Sequence, residues 1–356
     1  MSASHPIKTV VLAGAQDWGH CPLRLATPRP LAPIANQPLL MHSFAALRRA
    51  GLSDVVLCAN GYTRAFRRVF GDGSAMGVAL HYSEDQMPRG PAGCVKDATD
   101  FLAGADVLVL EGGLIPDIDF IKLIAEHRRS NALVTVAVDN SVSTDGWHSG
   151  RWNSGFGPQP VGVYVFGPRV ADYISPVGYQ DIKEGLLPRL YDAGEKVVVA
   201  TVDGEVPRVM GPESYLAINA WAVERTVDEH RELDGYQRIG DAYVHAAATI
   251  APTARLVGPV IVGPDSTVGD AAVVIGPTTI GTGCEVGEHA VISCSALWDD
   301  VRVGAHAQVE QSIMAYGTSA PTGSQVFNTV CLDRALKTSE RATLATRYEV
   351  GAAAVC

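Results

Sequence analysis

At 356 residues the chain is longer than one hydrophobic core usually organises, so two domains are the starting expectation. With 47% hydrophobic and 19% charged residues it is composed like a folded globular protein, not a disordered one. A formal net charge of -10, a pI near 5.4 and the lack of a basic stripe argue against a surface that neutralises a phosphodiester backbone, so nucleic acid is not an expected partner.

Residues 1–8 (MSASHPIK) lack the apolar core of a signal peptide, and apolar runs such as Val107–Leu110 are too short to span a bilayer. The expectation is a cytoplasmic protein with no membrane partner. Seven cysteines, with no CxxC pair among them, fit individually placed reduced thiols that act as small core residues.

In chain order, Thr9–Ala13 is a short apolar run ended by Gly14, which reads as a buried parallel strand feeding a loop. Further apolar strands are predicted at Val55–Ala59, Val107–Leu110, Val134–Val138, Val161–Phe166 and Lys196–Val202. Helical patterns lie between them at Pro38–Ala50, Gly93–Leu102, Phe120–Arg129 and Ile182–Ala193. This alternation predicts βαβ units and a mostly parallel, Rossmann-like α/β sheet, with ligands collecting at the carboxyl ends of its strands.

After about residue 240 the period changes. Apolar residues recur at every sixth position: Ile250, Leu256, Val262, Val268, Val274, Ile280, Val286, Ile292 and Trp298, resuming after a one-residue slip at Val303 and Val309. A period of six matches neither a helix nor an amphipathic strand, so the chain must coil in short flat segments that each send one aliphatic residue inward, a hexapeptide β-solenoid. The expected division is 1–228 for the α/β domain, 229–240 for a linker, 241–330 for the solenoid and 331–356 for a capping tail. Glu224–Tyr236 reads as a charged helical connector and Asp333–Glu349 as a final helix.

The stretch LAGAQDWGHCPLRLATPRPLAPIANQPLL (Leu12–Leu40) is similar, without a gap, to the opening pattern LAGGxGTRLxPLTxxxPKPLxPxxxxPL of sugar-1-phosphate nucleotidyltransferases. Gly90–Cys94 resembles that family's GTAG segment, Val107–Phe120 its VLVLNGDxLxDxDL segment, and Pro160–Phe166 its NAGIYVF strand. Asp181–Leu190 and Pro212–Leu216 resemble two later landmarks, and the layout is most like the mannose-1-phosphate guanylyltransferase branch. The resemblance implies that the solenoid is a left-handed β-helix, whose usual role there is homo-oligomerisation.

It also implies a reaction, the joining of a sugar 1-phosphate to a nucleoside triphosphate with release of pyrophosphate, and the positions that should carry it are changed. Gly14 is kept, but the next loop glycines are Ala15 and Asp17, and the family's catalytic arginine corresponds to Gly19. Arg29 stands at the PKP lysine. The two metal-binding aspartates correspond to Gly113 and Arg208, which removes the oxygen ligands that Mg²⁺ requires. Glu111 shares a strand face with Gly113 but is displaced by roughly 6–7 Å. The segment that carries the sugar-phosphate lysine is replaced by Asp139–Pro160, with Trp147 and Trp152.

The expected ligand residues are Gly14, Ala15, Arg29, Gly90, Gly93, Glu111, Gly162, Lys183, Glu184 and Arg208, binding a nucleotide sugar or sugar phosphate. Arg208 has two readings, an anion-binding guanidinium or a surface loop residue, whereas Arg24 reads as surface. His20 and His289 read as solvated. The leading expectation is a family member with nucleotidyl transfer lost or repurposed, needing no cofactor, regulating or scaffolding an active homologue. The alternatives are an active, Mg²⁺-dependent sugar-1-phosphate nucleotidyltransferase with an atypical site, and a hexapeptide acyltransferase.

Overall fold

The computed structural model describes residues 6–14, 18, 21–84, 89–98, 104–139, 160–230 and 232–333. Ala15, Asp17, Gly19, His20, Trp147, Trp152 and the tail beyond 333 lie outside the described residues. The chain forms two compact units, one from residues 1–16 and 40–207, the other from 17–39 and 208–356. This division differs from the sequence boundaries in two ways: the 17–39 segment joins the solenoid, and so does the helix that begins at Pro212.

The first unit is a seven-stranded sheet with helices between its strands. Its elements are β1 (Ile7–Leu12), α1 (Leu39–Arg49), β2 (Asp54–Cys58), α2 (Thr63–Phe70), β3 (Ala79–Ser83), α3 (Gly90–Asp97) and β4 (Asp106–Glu111). They continue with α4 (Phe120–Ser130), β5 (Val134–Val138), β6 (Pro160–Phe166), α5 (Leu187–Asp192) and β7 (Val197–Thr201). The spatial order is β7-β5-β6-β4-β1-β2-β3, parallel throughout except for β6, which runs antiparallel to β4 and β5.

The inner strands read as apolar runs because both faces are covered: Val10, Leu12, Val107 and Val109 pack on one side while Val11, Leu57, Leu108 and Leu110 are buried on the other. The β3 strand and α2 were not predicted. Ala79–Ser83 carries an edge strand's mixed polarity, ALHYS, and shows no apolar run. The predicted helix at 182–193 begins as a π-helical turn at Ile182–Leu186, capped by the Asp181 carboxylate accepting from the Glu184 N–H at 2.8 Å, before α5.

In the second unit α6 (Pro212–Asp228) starts at a proline, with the Gly211 N–H donating to Ser214 Oγ at 2.8 Å. The expected helix at Glu224–Tyr236 is corrected: α6 stops at Asp228, and Tyr236–Ile239 is a strand, β8, antiparallel to β9 (Ala242–His245). Gly235 at φ 75 stands just before β8, a conformation glycine takes without strain.

From β9 onward the chain is a parallel β-helix with three faces. Strands on each face pair with those one coil later, as Val260 with Thr278, Thr267 with Glu285 and Val273 with Val291. These offsets are eighteen residues (278 − 260, 285 − 267, 291 − 273), three hexapeptides. Val262, Val268, Val274, Ile280, Val286, Ile292, Val303 and Val309 fill the interior as the period predicts.

Trp298 does not. Leu297 pairs with Ile280 and points inward, so the corner after Ile292 has five residues rather than six. Later coils repeat the shortened corner, as in the pairing of Leu297 with Met314, and advance by seventeen (314 − 297). The longer corners contain Gly258-Pro259 and Gly276-Pro277, whereas the shorter ones turn on Cys294, Gln311 and Asn328 in the left-handed region. A hydroxyl ladder lines this edge: Ser295 N–H donates to Thr278 Oγ1 at 3.3 Å, Ser312 N–H to Ser295 Oγ at 3.1 Å, and Thr329 N–H to Ser312 Oγ at 3.1 Å.

Candidate active site

The order of strands reverses at β1, and Leu12 is in register with both Cys58 and Glu111. This switch point is where an open α/β sheet offers a crevice. The chain is drawn tight there. The Ala13 and Gly14 N–H groups both donate to Cys58 O, at 2.9 and 2.8 Å, and the Gly112 N–H donates to Leu12 O at 2.9 Å. A Cβ on Gly14 would lie 2.5 Å from the Ala59 carbonyl carbon. Gly14 therefore serves the packing of β1 against the 59–60 turn, and its N–H is engaged within the protein.

Glu111 ends β4 as a buried residue, 8% exposed, with its carboxylate 3.4 Å from the Tyr164 hydroxyl and 3.6 Å from Lys183 Nζ. Lys183 comes from the π turn, and its half-buried ammonium keeps a charged partner beside a carboxylate that burial alone would disfavour. Glu184, one residue on, is exposed. Gly162 lies two residues before Tyr164 on β6, at φ 83, where the pairing of β6 with β5 is irregular. Positive φ at a bulge is a glycine task. Tyr164, beyond this irregularity, shares a strand face with Phe166, and the sequence alone does not mark it.

Gly90 and Gly93 open α3, and the Ala92 N–H donates to Gln180 O at 3.0 Å, tying this helix to the residues before the π turn. Cys94 of α3 faces Cys58 of β2, whose thiol lies 3.8 Å from Cys94 O; contact with the Cys94 thiol and burial push the Cys58 thiol well up. Both behave as small core residues. The structure thus brings Gly14, Gly90, Gly93, Glu111, Gly162 and Lys183 into the first unit, with Gly113 in the buried turn after β4.

Arg29 and Arg208 belong to the second unit. Arg29 is buried, its guanidinium 5.8 Å from the Trp18 ring centroid, and Trp18 Nε1 donates to Thr27 O at 3.1 Å. Arg208 is half-buried, just before α6, and Arg24 is exposed. On the β-helix, exposed His289 stacks on His306 at a ring separation of 4.9 Å, one coil apart.

Two family models match the chain, Nucleotidyl transferase over residues 8–145 and the GMPPB C-terminal domain over 256–347. A mannose-1-phosphate guanylyltransferase of Mycobacterium tuberculosis is 28% identical over 276 residues, 73% of this chain and 76% of the relative. The chain is thus similar to sugar-1-phosphate nucleotidyltransferases over both of its matched segments. A glucose-1-phosphate thymidylyltransferase of Streptomyces griseus is 26% identical over 285 residues, 72% of this chain and 78% of the relative. The crystal structure of a Bacillus anthracis protein assigned as a glucose-1-phosphate thymidylyltransferase, in complex with sucrose, shares the fold at a TM-score of 0.52 and 18% identity, over 61% of this chain and 95% of that one.

Against the pattern of the sugar-1-phosphate nucleotidyltransferases, the residues present do not fit a magnesium ion. Gly113 offers no side-chain ligand, Arg208 replaces a carboxylate with a cation at the other matched position, and the Glu111 carboxylate is already beside an ammonium group. Among the described residues no group of three or more His, Cys, Asp or Glu side chains could hold a metal, and no helix is long and apolar enough to cross a membrane.

Proposed function

We propose that the chain binds a nucleotide sugar or sugar phosphate and that the usual metal-dependent nucleotidyl transfer has been lost or repurposed. One observation carries this reading: Gly113 and Arg208 stand where the family pattern has its metal-binding aspartates, and the Glu111 carboxylate, two residues before Gly113, lies 3.6 Å from Lys183 Nζ and 3.4 Å from the Tyr164 hydroxyl. Positive charge then comes from side chains, with Arg29 and Arg208 of the second unit each suited to a phosphate group. On this reading the protein is cytoplasmic, self-associates through its β-helix and partners an active homologue.

The second reading, an active sugar-1-phosphate nucleotidyltransferase with an atypical site, is favoured by the two family matches and by relatives that are themselves named as transferases. Pyrophosphate release separates the two. GTP or dTTP is offered with mannose 1-phosphate or glucose 1-phosphate and Mg²⁺. The proposed reading expects no release, together with a rise in melting temperature on adding a nucleotide sugar or a sugar 1-phosphate that EDTA leaves in place. Sustained release would overturn it in favour of the second reading, and the absence of any melting shift would remove the binding function.

A further inference from the structure

Trp298 is the one position in the hexapeptide series that the coil does not use, because the shortened corner sends Leu297 inward in its place. It is nevertheless only 1% exposed, packed between Tyr215 of α6 and Tyr316 of the next coil at ring separations of 5.9 and 4.8 Å. Its indole Nε1 donates to the Tyr215 hydroxyl at 2.7 Å, and that hydroxyl in turn donates to Pro33 O. Burial raises the Tyr215 pKa far above any physiological pH, so the hydroxyl keeps the proton this relay needs.

Pro33 lies in a short hairpin, Pro33–Ile34 against Gln37–Pro38, whose central residues Ala35 and Asn36 both have positive φ, 48° and 61°. Such a turn normally uses glycine or asparagine, and alanine adopts it here at a conformational cost. The side-chain amide of Asn219 offsets that cost. Its Oδ1 accepts from the Ala35 N–H at 2.8 Å and its Nδ2 donates to Thr279 Oγ1 at 3.2 Å, which fixes the amide's orientation from both ends. Asn36 Nδ2 donates to Ile280 O at 2.7 Å. Immediately before the hairpin, the Ala32 N–H donates to Arg29 O at 3.0 Å, closing a turn bounded by Pro28 and Pro30.

We propose that Tyr215, Asn219 and Trp298 are positioning residues that seat the 29–38 segment, and with it Arg29, on the β-helix, so that anion binding at Arg29 depends on a contact made by the coil. The coupling rests on the proposed nucleotide-binding reading, but the seating does not. The test uses the full-length protein and the variants Tyr215→Phe, Trp298→Phe, Arg29→Gln and, as a control in the coil interior, Ile292→Val.

Amide exchange at residues 29–39 should accelerate by up to about tenfold in both aromatic variants, the worth of one lost hydrogen bond, and should stay unchanged in Ile292→Val although its melting temperature falls. GTP affinity should weaken by roughly fivefold in the same two variants on that scale, fall further in Arg29→Gln, and hold in Ile292→Val. Unchanged exchange in both aromatic variants overturns the seating. Faster exchange with unaltered GTP affinity, or full affinity in Arg29→Gln, overturns the coupling. Wild-type protein that binds none of GTP, dTTP, their mannose and glucose nucleotide sugars, or the two sugar 1-phosphates removes the binding reading, and the exchange measurement still decides the seating.

Discussion

The β-helix and the carboxyl end of the α/β sheet place their important residues by opposite means. In the coil, one inward position is repeated and each side chain stacks on its equivalent a coil away, as Val262, Ile280, Leu297 and Met314 do. At the sheet's end nothing repeats: Gly14, Gly112, Glu111, Tyr164 and Lys183 come from different elements and converge once. The coil therefore tolerates reading by period, and the sheet end only by contact. Perturbations should divide in the same way, into loss of packing in the coil and loss of a particular fit at the sheet.

The largest effect expected is in the coil. Ile280 is fully buried between stacked neighbours, and Ile280→Ala should cost about 2–5 kcal/mol through lost burial and a cavity the rigid coil cannot collapse. Urea unfolding checks this. A cost below that of Ile292→Val would mean that the coil relaxes freely, and the contrast between the regions would fail.

Next comes Gly14→Ala, where the added carbon meets backbone, which cannot rotate away. The expected loss is about 1–3 kcal/mol of stability from overpacking at the end of β1. If Gly14→Ala instead left stability intact and removed nucleotide binding, the glycine would be serving a ligand, as the sequence suggested, rather than the 59–60 turn.

The two readings of Gly14 show where the sequence was legible. The apolar runs predicted the positions of six of the sheet's strands to within a residue or two, because strands covered on both faces have little choice of composition. The six-residue period predicted the coil. It misplaced Trp298 because the spacing does not reveal that the corner shortens, and Trp298 continued the six-residue series by coincidence. Glu111 and Lys183 stand far apart in the sequence, and only the fold brings them within 3.6 Å. Tyr164, apolar in appearance within a strand, gave no signal of its own.

A smaller effect is expected from Lys183→Met. The ammonium is a third exposed, so its pairing with Glu111 is worth about 1 kcal/mol after screening. The loss should show in urea unfolding and should vanish in the background of Glu111→Gln. Equal losses in both backgrounds would mean that the lysine acts through packing of its stem, and the pairing would not organise the site.

The smallest effect is a pH dependence away from the sheet's end. His127 on α4 is buried, with Nδ1 2.8 Å from Thr135 Oγ1, and burial lowers its pKa from the ordinary value of 6.5. The neighbouring Arg128 lowers it further and Asp106 opposes. Because the folded protein resists a proton that the unfolded chain accepts, this stabilisation is complete above about pH 6.5 and is lost as the pH falls, by at most about 1.4 kcal/mol per pH unit. His127→Gln should flatten the unfolding free energy between about pH 7 and 5, where histidine titrates, relative to wild type. Parallel pH curves for the two proteins would show that Thr135 and the Asp106 carboxylate sustain a charged imidazole in the fold, making this buried face more polar than its strands imply.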